Sequence, residues 1–253
     1  MRQRAISRGL RLNEFGLIPE IEAGDLKGMA AAKFSLPAMS EEEIYSHLDM
    51  QWVTPELRED TGEVSAAEAN NLPTLLEMGD IRGALHNHTT LSDGDASLEQ
   101  MADTAQKMGW NWLGLADHSP TLQIANGASA EDLLEQGNTI KKYNQQWQQD
   151  GKDFRLIHGV ESDILAGGKL DHPDDVLSQL DYTVASVHAL SKWKARDEVE
   201  NTEELLQVID HPATTILGHP TGRILQGRDG YEVDLLSVIE HMADHNDAGR
   251  LKA

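Results

Sequence analysis

From residue 81 onward, short apolar runs alternate with amphipathic stretches. The runs are IRGALHNH (81–88), WNWLGLADH (110–118), FRLIHGVESDI (154–164), DYTVASVHA (181–189) and TTILGHP (214–220). Each is rich in strand-forming residues and closed by a polar cluster, which predicts five strands recurring about every 30 residues. Between them, SLEQMADTAQKMG (97–109) puts Leu98, Met101, Ala102, Ala105 and Met108 at helical spacing. It opens on a capping box from Ser97 to Gln100 and stops at Gly109. SAEDLLEQGNTIKKYNQQW (129–147), NTEELLQVID (201–210) and EVDLLSVIEHMADHN (232–246) predict three further helices. Strand and helix in strict alternation predict a parallel sheet with helical crossovers, the α/β class.

The first 60 residues have a different texture. RGLRLNEFGLI (8–18) reads as a small turn or hairpin, and SEEEIYSHLDM (40–50) as a short helix capped by Ser40 with Glu43. The stretch 56–80 is acidic, poor in large apolar residues until its leucines, and contains a proline, as a connector would be. The expected division is therefore an appendage over 1–60, a linker over 61–80 and the main domain over 81–253.

Charge and composition narrow the chemistry. Lys and Arg total 21 against 43 Asp and Glu, a formal charge of -22, so the surface repels polyanions unless a local feature reverses the field. With no cysteine among 253 residues, disulfides, thiolate metal sites and cysteine nucleophiles are excluded, and a transition metal must be held by nitrogen and oxygen. No run approaches a membrane span and the N-terminal arginines are followed by no apolar signal core, so the expectation is a cytoplasmic protein with no membrane partner.

The candidate chemistry stands at the strand ends: His86 and His88 with Asp93 nearby, then Asp117 and His118, Glu161 with Asp163, His188, and His219. In parallel βα barrels the carboxyl ends of the strands meet at one mouth, which turns sequence distance into proximity. The i, i+2 spacing of HNH puts both imidazoles on one strand face, where they can grip one ion. Asp117 and Asp163 are equally open to the reading of ordinary polar strand ends. His158, three residues before Glu161, falls on the opposite strand face and is expected to pack. His47, His172, His211, His241 and His245 are expected on the surface. Lys192, Lys194, Arg196 and Arg223 stand just past His188 and His219, open to reading either as positive charge at the mouth or as solvated loop residues, and Asn126 with Gly127 reads either as a turn facing the mouth or as an ordinary surface turn.

The ordered motifs HNHTTLSDG, ADHS, HGVESDI, SVHA and GHPTGR over residues 81–222 resemble the PHP (polymerase and histidinol phosphatase) family of metal-dependent phosphoesterases. RGLRLNEFGL, EEEIYSHLDMQWVTPELRED and NLPTLLEMGDIRGALHNHT further resemble the junction between polymerase thumb and PHP domain in bacterial and archaeal family X DNA polymerases. The resemblance implies a distorted seven-stranded, TIM-like (β/α)7 barrel holding up to three Zn or Mn ions. It implies His86, His88 and Glu161 around one ion, Asp93 and His118 around a second, and Glu161 with His188 and His219 around a third, with Glu161, His188 and Arg223 as the catalytic residues. The implied activity is removal of nucleotides from DNA 3′ ends; small-molecule phosphatase chemistry, as in histidinol phosphatase, and a non-catalytic metal-binding remnant are the alternatives. An amidohydrolase also opens a barrel with HxH, but the lack of a lysine at a middle strand end argues against it.

Two departures from the family pattern set further expectations. The polymerase palm has no counterpart, so nucleotide addition is expected to be absent. The family's last two strands, with their Asp-x-His pair, are also missing, so the expectation is an incomplete barrel with an unpaired sheet edge, weak stability and reduced activity, as a gene fragment would have.

Overall fold

The computed structural model describes residues 1–188, 196–224, 227 and 229–246, and divides into two compact units, Met1–Leu76 and Glu77–Ala253.

In the first unit, helix α1 (Arg2–Ser7) precedes an antiparallel hairpin of β1 (Leu10–Asn13) and β2 (Gly16–Pro19), the hairpin that RGLRLNEFGLI predicts. Three helices follow, α2 (Glu20–Ala23), α3 (Gly28–Ala32) and α4 (Glu41–His47), the last with the Ser40 side chain accepting from the Glu43 amide as its capping signal requires. A fifth helix, α5 (Glu63–Glu68), lies in the stretch read as a connector, and its Ala67 is fully buried with Leu17, Tyr45 and Leu48.

The second unit is built on β3 (Gly83–Asn87), β4 (Trp112–His118), β5 (Arg155–Leu165), a two-residue strand β6 (Lys169–Leu170), β7 (Tyr182–Ser186) and β8 (Ile216–Gly218). The order is β3-β4-β5-β7-β8, all parallel, with β6 antiparallel beside β5. The described strands curl into a half-barrel, which agrees with the α/β, TIM-like fold class expected from the sequence. The crossovers are α6 (Leu98–Lys107), α7 (Ala130–Gln149), the short α8 (Asp174–Leu177) and α9 (Glu198–Asp210), and α10 (Leu235–Asn246) follows β8. Helix α6 carries the complete Ser97–Gln100 capping box. Helix α9 starts earlier than its apolar spacing indicates because Asp197 accepts from the Glu200 amide and adds a turn.

Central strands bury both faces, which is why their sequences are continuous apolar runs rather than alternating ones. The side of β5 and β7 toward α9 and α10 is filled by Val160, Ile164, Ala185, Leu205, Val208, Ile209 and Val238. A second cluster packs Leu98, Ala102 and Ala105 of α6 and Ile140 and Trp147 of α7 against Leu113, Leu115 and Leu156.

His158 is buried, as its strand face predicts, and lies under α7 at Gly137, where an added Cβ would come within 2.5 Å of its ring. Burial depresses its pKa from 6.5 to about 4, against the opposing pull of Asp181. An imidazole neutral in the fold but protonated when unfolded makes the unfolded chain bind more protons between these two values, so stability falls as pH drops through that window. The expected loss from pH 6.5 to 4 is roughly 3 kcal/mol from this residue. Urea titrations across that range should give a shallower pH slope in His158→Gln than in the parent.

The structure corrects the reading of His172, which is buried rather than on the surface. It follows β6, and Leu170 pairs with Ile164 in a hairpin that folds the segment inward. His47 is exposed, His211 is partly exposed beside Asp174 at 3.3 Å, and His241 reaches Asp210 at 2.8 Å. The His245 side chain, Lys192 and Lys194 lie outside the described residues. None of the described helices is long and apolar enough to cross a membrane.

Candidate metal centre

The polar strand ends gather around Glu161, a carboxylate with 1% exposure at the centre of the sheet on β5. His86 Nε2 lies 3.0 Å and His219 Nε2 2.9 Å from its Oε1, with His188 Nε2 at 3.4 Å. On the other oxygen, His118 Nδ1 stands at 2.9 Å and His88 Nε2 at 3.6 Å. Asp93, half-exposed on the loop after β3, is 3.5 Å from His118 Nε2 and 4.0 Å from His88 Nδ1. Every residue the sequence reading placed in the metal shell is therefore within this one cluster.

Local backbone explains the convergence. The β3–β4 register shifts between Ala84 and Asn87, and His86 has φ 65° in the left-handed region. HNH is thus not a plain period-two strand: a bulge re-aims His86, so that the two imidazole rings sit 5.2 Å apart and edge-on. His219 also has positive φ, at 23°. Strained conformations of two bulky residues, one on β3 and one just past β8, at the same cluster, are held by the surrounding structure and mark a site where side-chain placement outweighs backbone preference.

Adjacent strand residues point to opposite faces, and this separates Asp117 from His118. Asp117 is fully buried away from the cluster and accepts from the Thr89 amide at 2.7 Å, Thr89 Oγ1 at 2.9 Å, Ser92 Oγ at 2.7 Å and Gln136 Nε2 at 2.7 Å. It anchors the loop that follows His88. Asp163, two residues past Glu161 and on the same face, is buried and contacts His188 Nδ1. Neither the Asp117 anchor nor the His188 contact is spelled out by the strand-end pattern, although strand alternation separates their faces.

The turn at Asn126 and Gly127 packs back on the end of β4. The Ala128 amide donates to the His118 carbonyl at 2.7 Å, and a Cβ on Gly127 would fall 1.9 Å from the Ser119 carbonyl oxygen. Gly127→Ala is expected to lower stability by about 1–3 kcal/mol, because backbone must move to admit the methyl. A urea unfolding midpoint that matches the parent's would contradict that close approach. Arg223 is exposed, four residues after His219. Arg196 is bound to Glu204 at 2.9 Å and lies 3.9 Å from Glu200, both on α9.

The donor set fits a divalent cation. His88 Nδ1, His118 Nδ1 and Glu161 Oε2 are buried with no hydrogen-bond partner, although His118 Nδ1 is only 2.9 Å from that oxygen. The pair is close but out of line for a hydrogen bond, as two lone-pair donors facing a shared cation would be. Three groups have ligand atoms within 4.8 Å of one another: His86, His88 and Glu161; His88, Asp93 and His118; His118, Glu161 and His188. His219 approaches Glu161 without joining a group. Nitrogen and oxygen ligands of this kind suit Zn or Mn.

Electrostatics point the same way. Burial raises the Glu161 pKa, but the imidazoles gathered around it, His118, His188, His219 and His86, outweigh burial and hold the carboxyl below its ordinary range. Burial lowers His188, yet Asp163 and Glu161 more than compensate and raise it to about 9. A cation binding at His188 must therefore displace a proton.

Residues 84–248 match the PHP domain family, and residues 1–59 match the DNA polymerase beta thumb. The chain is 37% identical over all 253 residues to the DNA polymerase/3′-5′ exonuclease PolX of Bacillus subtilis, of which it covers 41%. It is 30% identical over 165 residues to a probable phosphatase of Clostridium acetobutylicum, 64% of this chain and 60% of that protein. A probable phosphatase of Photobacterium profundum is 27% identical over 171 residues, covering 64% of this chain and 59% of the relative. The chain thus spans between about two fifths and three fifths of the length of these curated relatives.

Proposed function

The chain belongs to the PHP domain family, and we propose that it is a metal-dependent phosphoesterase acting on 3′ ends of DNA. The observation that carries this reading is the convergence of five imidazoles on one buried carboxylate at the carboxyl ends of the strands. His86, His88, Asp93, His118, Glu161, His188 and His219 would hold up to three Zn or Mn ions. When bound, such ions acidify a water and neutralise charge on a phosphoryl group.

The protein's own groups do the rest. Glu161 presents one oxygen toward His86, His188 and His219 and the other toward His88 and His118, which makes it the residue best placed to serve two cations at once. Arg223, exposed four residues after His219, would offer a guanidinium to phosphate oxygens. Against a formal charge of -22, a terminal phosphoester is a better substrate than the body of a duplex, whose binding would be weak and salt-sensitive. Likeness to PolX across the whole chain, thumb-like segment included, favours a DNA end. Likeness to the probable phosphatases, confined to about 64% of the chain, favours a small phosphoester as the second reading.

Side-by-side assays with Mn on a 3′-labelled oligonucleotide, p-nitrophenyl phosphate and a dihydropyrimidine separate the readings. The expected result is release from the oligonucleotide that chelator and His86→Ala both abolish. Turnover of p-nitrophenyl phosphate alone selects the small-molecule reading. Turnover of the cyclic imide alone, or bound metal with no turnover at all, overturns the phosphoesterase assignment.

A further inference from the structure

We propose that Asp163 is a positioning residue for His188, holding the imidazole so that its Nε2 faces the metal centre; the inference rests on the site reading above. Asp163 is 1% exposed, one of its oxygens contacts His188 Nδ1, and its other oxygen is buried without a partner. A buried carboxylate is costly unless it is bound to something that needs it. His188 lies past the end of the β5–β7 ladder, whose last register pair is Asp163 with Ser186. Asp163, on the longer strand, overhangs that end and meets the ring.

The two nitrogens of His188 face different partners. Nδ1 meets Asp163, and Nε2 points at Glu161 at 3.4 Å. A carboxylate acceptor at Nδ1 requires a proton there, which fixes the ring so that Nε2, the nitrogen left for a cation, is aimed at Glu161. The ring's direction matters because its neighbours are tight: it lies edge-on to His118 at 5.2 Å and tilted against His219 at 5.1 Å between centroids. Asp163 itself is absent from the three groups of described residues whose ligand atoms come within 4.8 Å of one another, which separates orienting from ligating.

The test uses the full chain with Asp163→Ala and Asp163→Asn. In metal-free parent protein, proton NMR is expected to give a downfield, slowly exchanging Hδ1 resonance from His188 that disappears in Asp163→Ala. Calorimetric titration with Mn is expected to show affinity reduced roughly 10–100-fold in Asp163→Ala. Asp163→Asn, whose amide oxygen can still accept from Nδ1, should recover part of both signals and guards against a variant that fails to fold. A parent without the resonance, or Asp163→Ala with unchanged Mn affinity, overturns the proposal. Loss of all Mn binding in both variants also overturns it, because it would make Asp163 a ligand. A parent that shows the resonance but takes up no Mn contradicts the phosphoesterase reading instead, and leaves the hydrogen bond demonstrated.

Discussion

Glu161→Gln is expected to empty the centre of bound metal and to cut phosphoester turnover at least about a thousandfold, a barrier increase of roughly 4 kcal/mol. The substitution keeps the side chain's size and removes its charge. The imidazoles around it hold the parent carboxyl ionised, and no other carboxylate lies within reach of His86, His88, His118, His188 and His219 together in the described structure. A neutral amide has no negative charge to balance the cations, and its NH2 group has no lone pair to offer them. Metal content by elemental analysis and turnover on the labelled oligonucleotide give the two readouts, with far-ultraviolet circular dichroism to check the fold. A variant that keeps its metal would move the centre elsewhere.

Asp117→Ala is expected to be among the most damaging substitutions to stability, at about 3–5 kcal/mol. It would leave four donors, the Thr89 amide, Thr89 Oγ1, Ser92 Oγ and Gln136 Nε2, buried around an absent acceptor. The loss is not confined to folding. Thr89 follows His88 directly, and the same loop carries Asp93, so weaker Mn affinity should accompany the lower urea midpoint. An Asp117→Ala protein as stable as the parent would mean that the hydrogen bonds to this carboxylate contribute little.

How far the sequence discloses this arrangement depends on the length of the signal. Strands of five or more residues, such as Trp112–His118 and Arg155–Leu165, announce themselves as unbroken apolar runs because parallel strands are covered on both faces. Their carboxyl ends could therefore be located, and with them His118, Glu161 and His188. The two-residue strand Lys169–Leu170 carries no period at all, so nothing in the sequence marks the burial of His172 beside it. The pairing of Arg196 with Glu204 is hidden for a related reason: Glu200 and Glu204 sit on a helix whose start is set by the Asp197 cap rather than by apolar spacing.

The bulge at His86 is a different kind of omission. Strand alternation alone predicts that His86 and His88 share a face, and they do meet at Glu161, but through left-handed backbone at His86 and a register shift that no residue type in HNH demands. Asp117 and Asp163 illustrate the converse. Both stand at strand ends, and residue type left their roles open. Parity decides between them: Asp117, one residue from His118, turns toward α7, while Asp163, two residues from Glu161, stays on the side of the metal centre.

The central claim is that distant imidazoles and carboxylates share cations at Glu161. Anomalous diffraction from crystals of the full chain grown with Mn tests it directly. The account predicts anomalous peaks within roughly 2–2.5 Å of Glu161 oxygens and of the imidazole nitrogens of His86, His88, His118 or His188. Strong Mn peaks elsewhere in the molecule with none at Glu161 would contradict it.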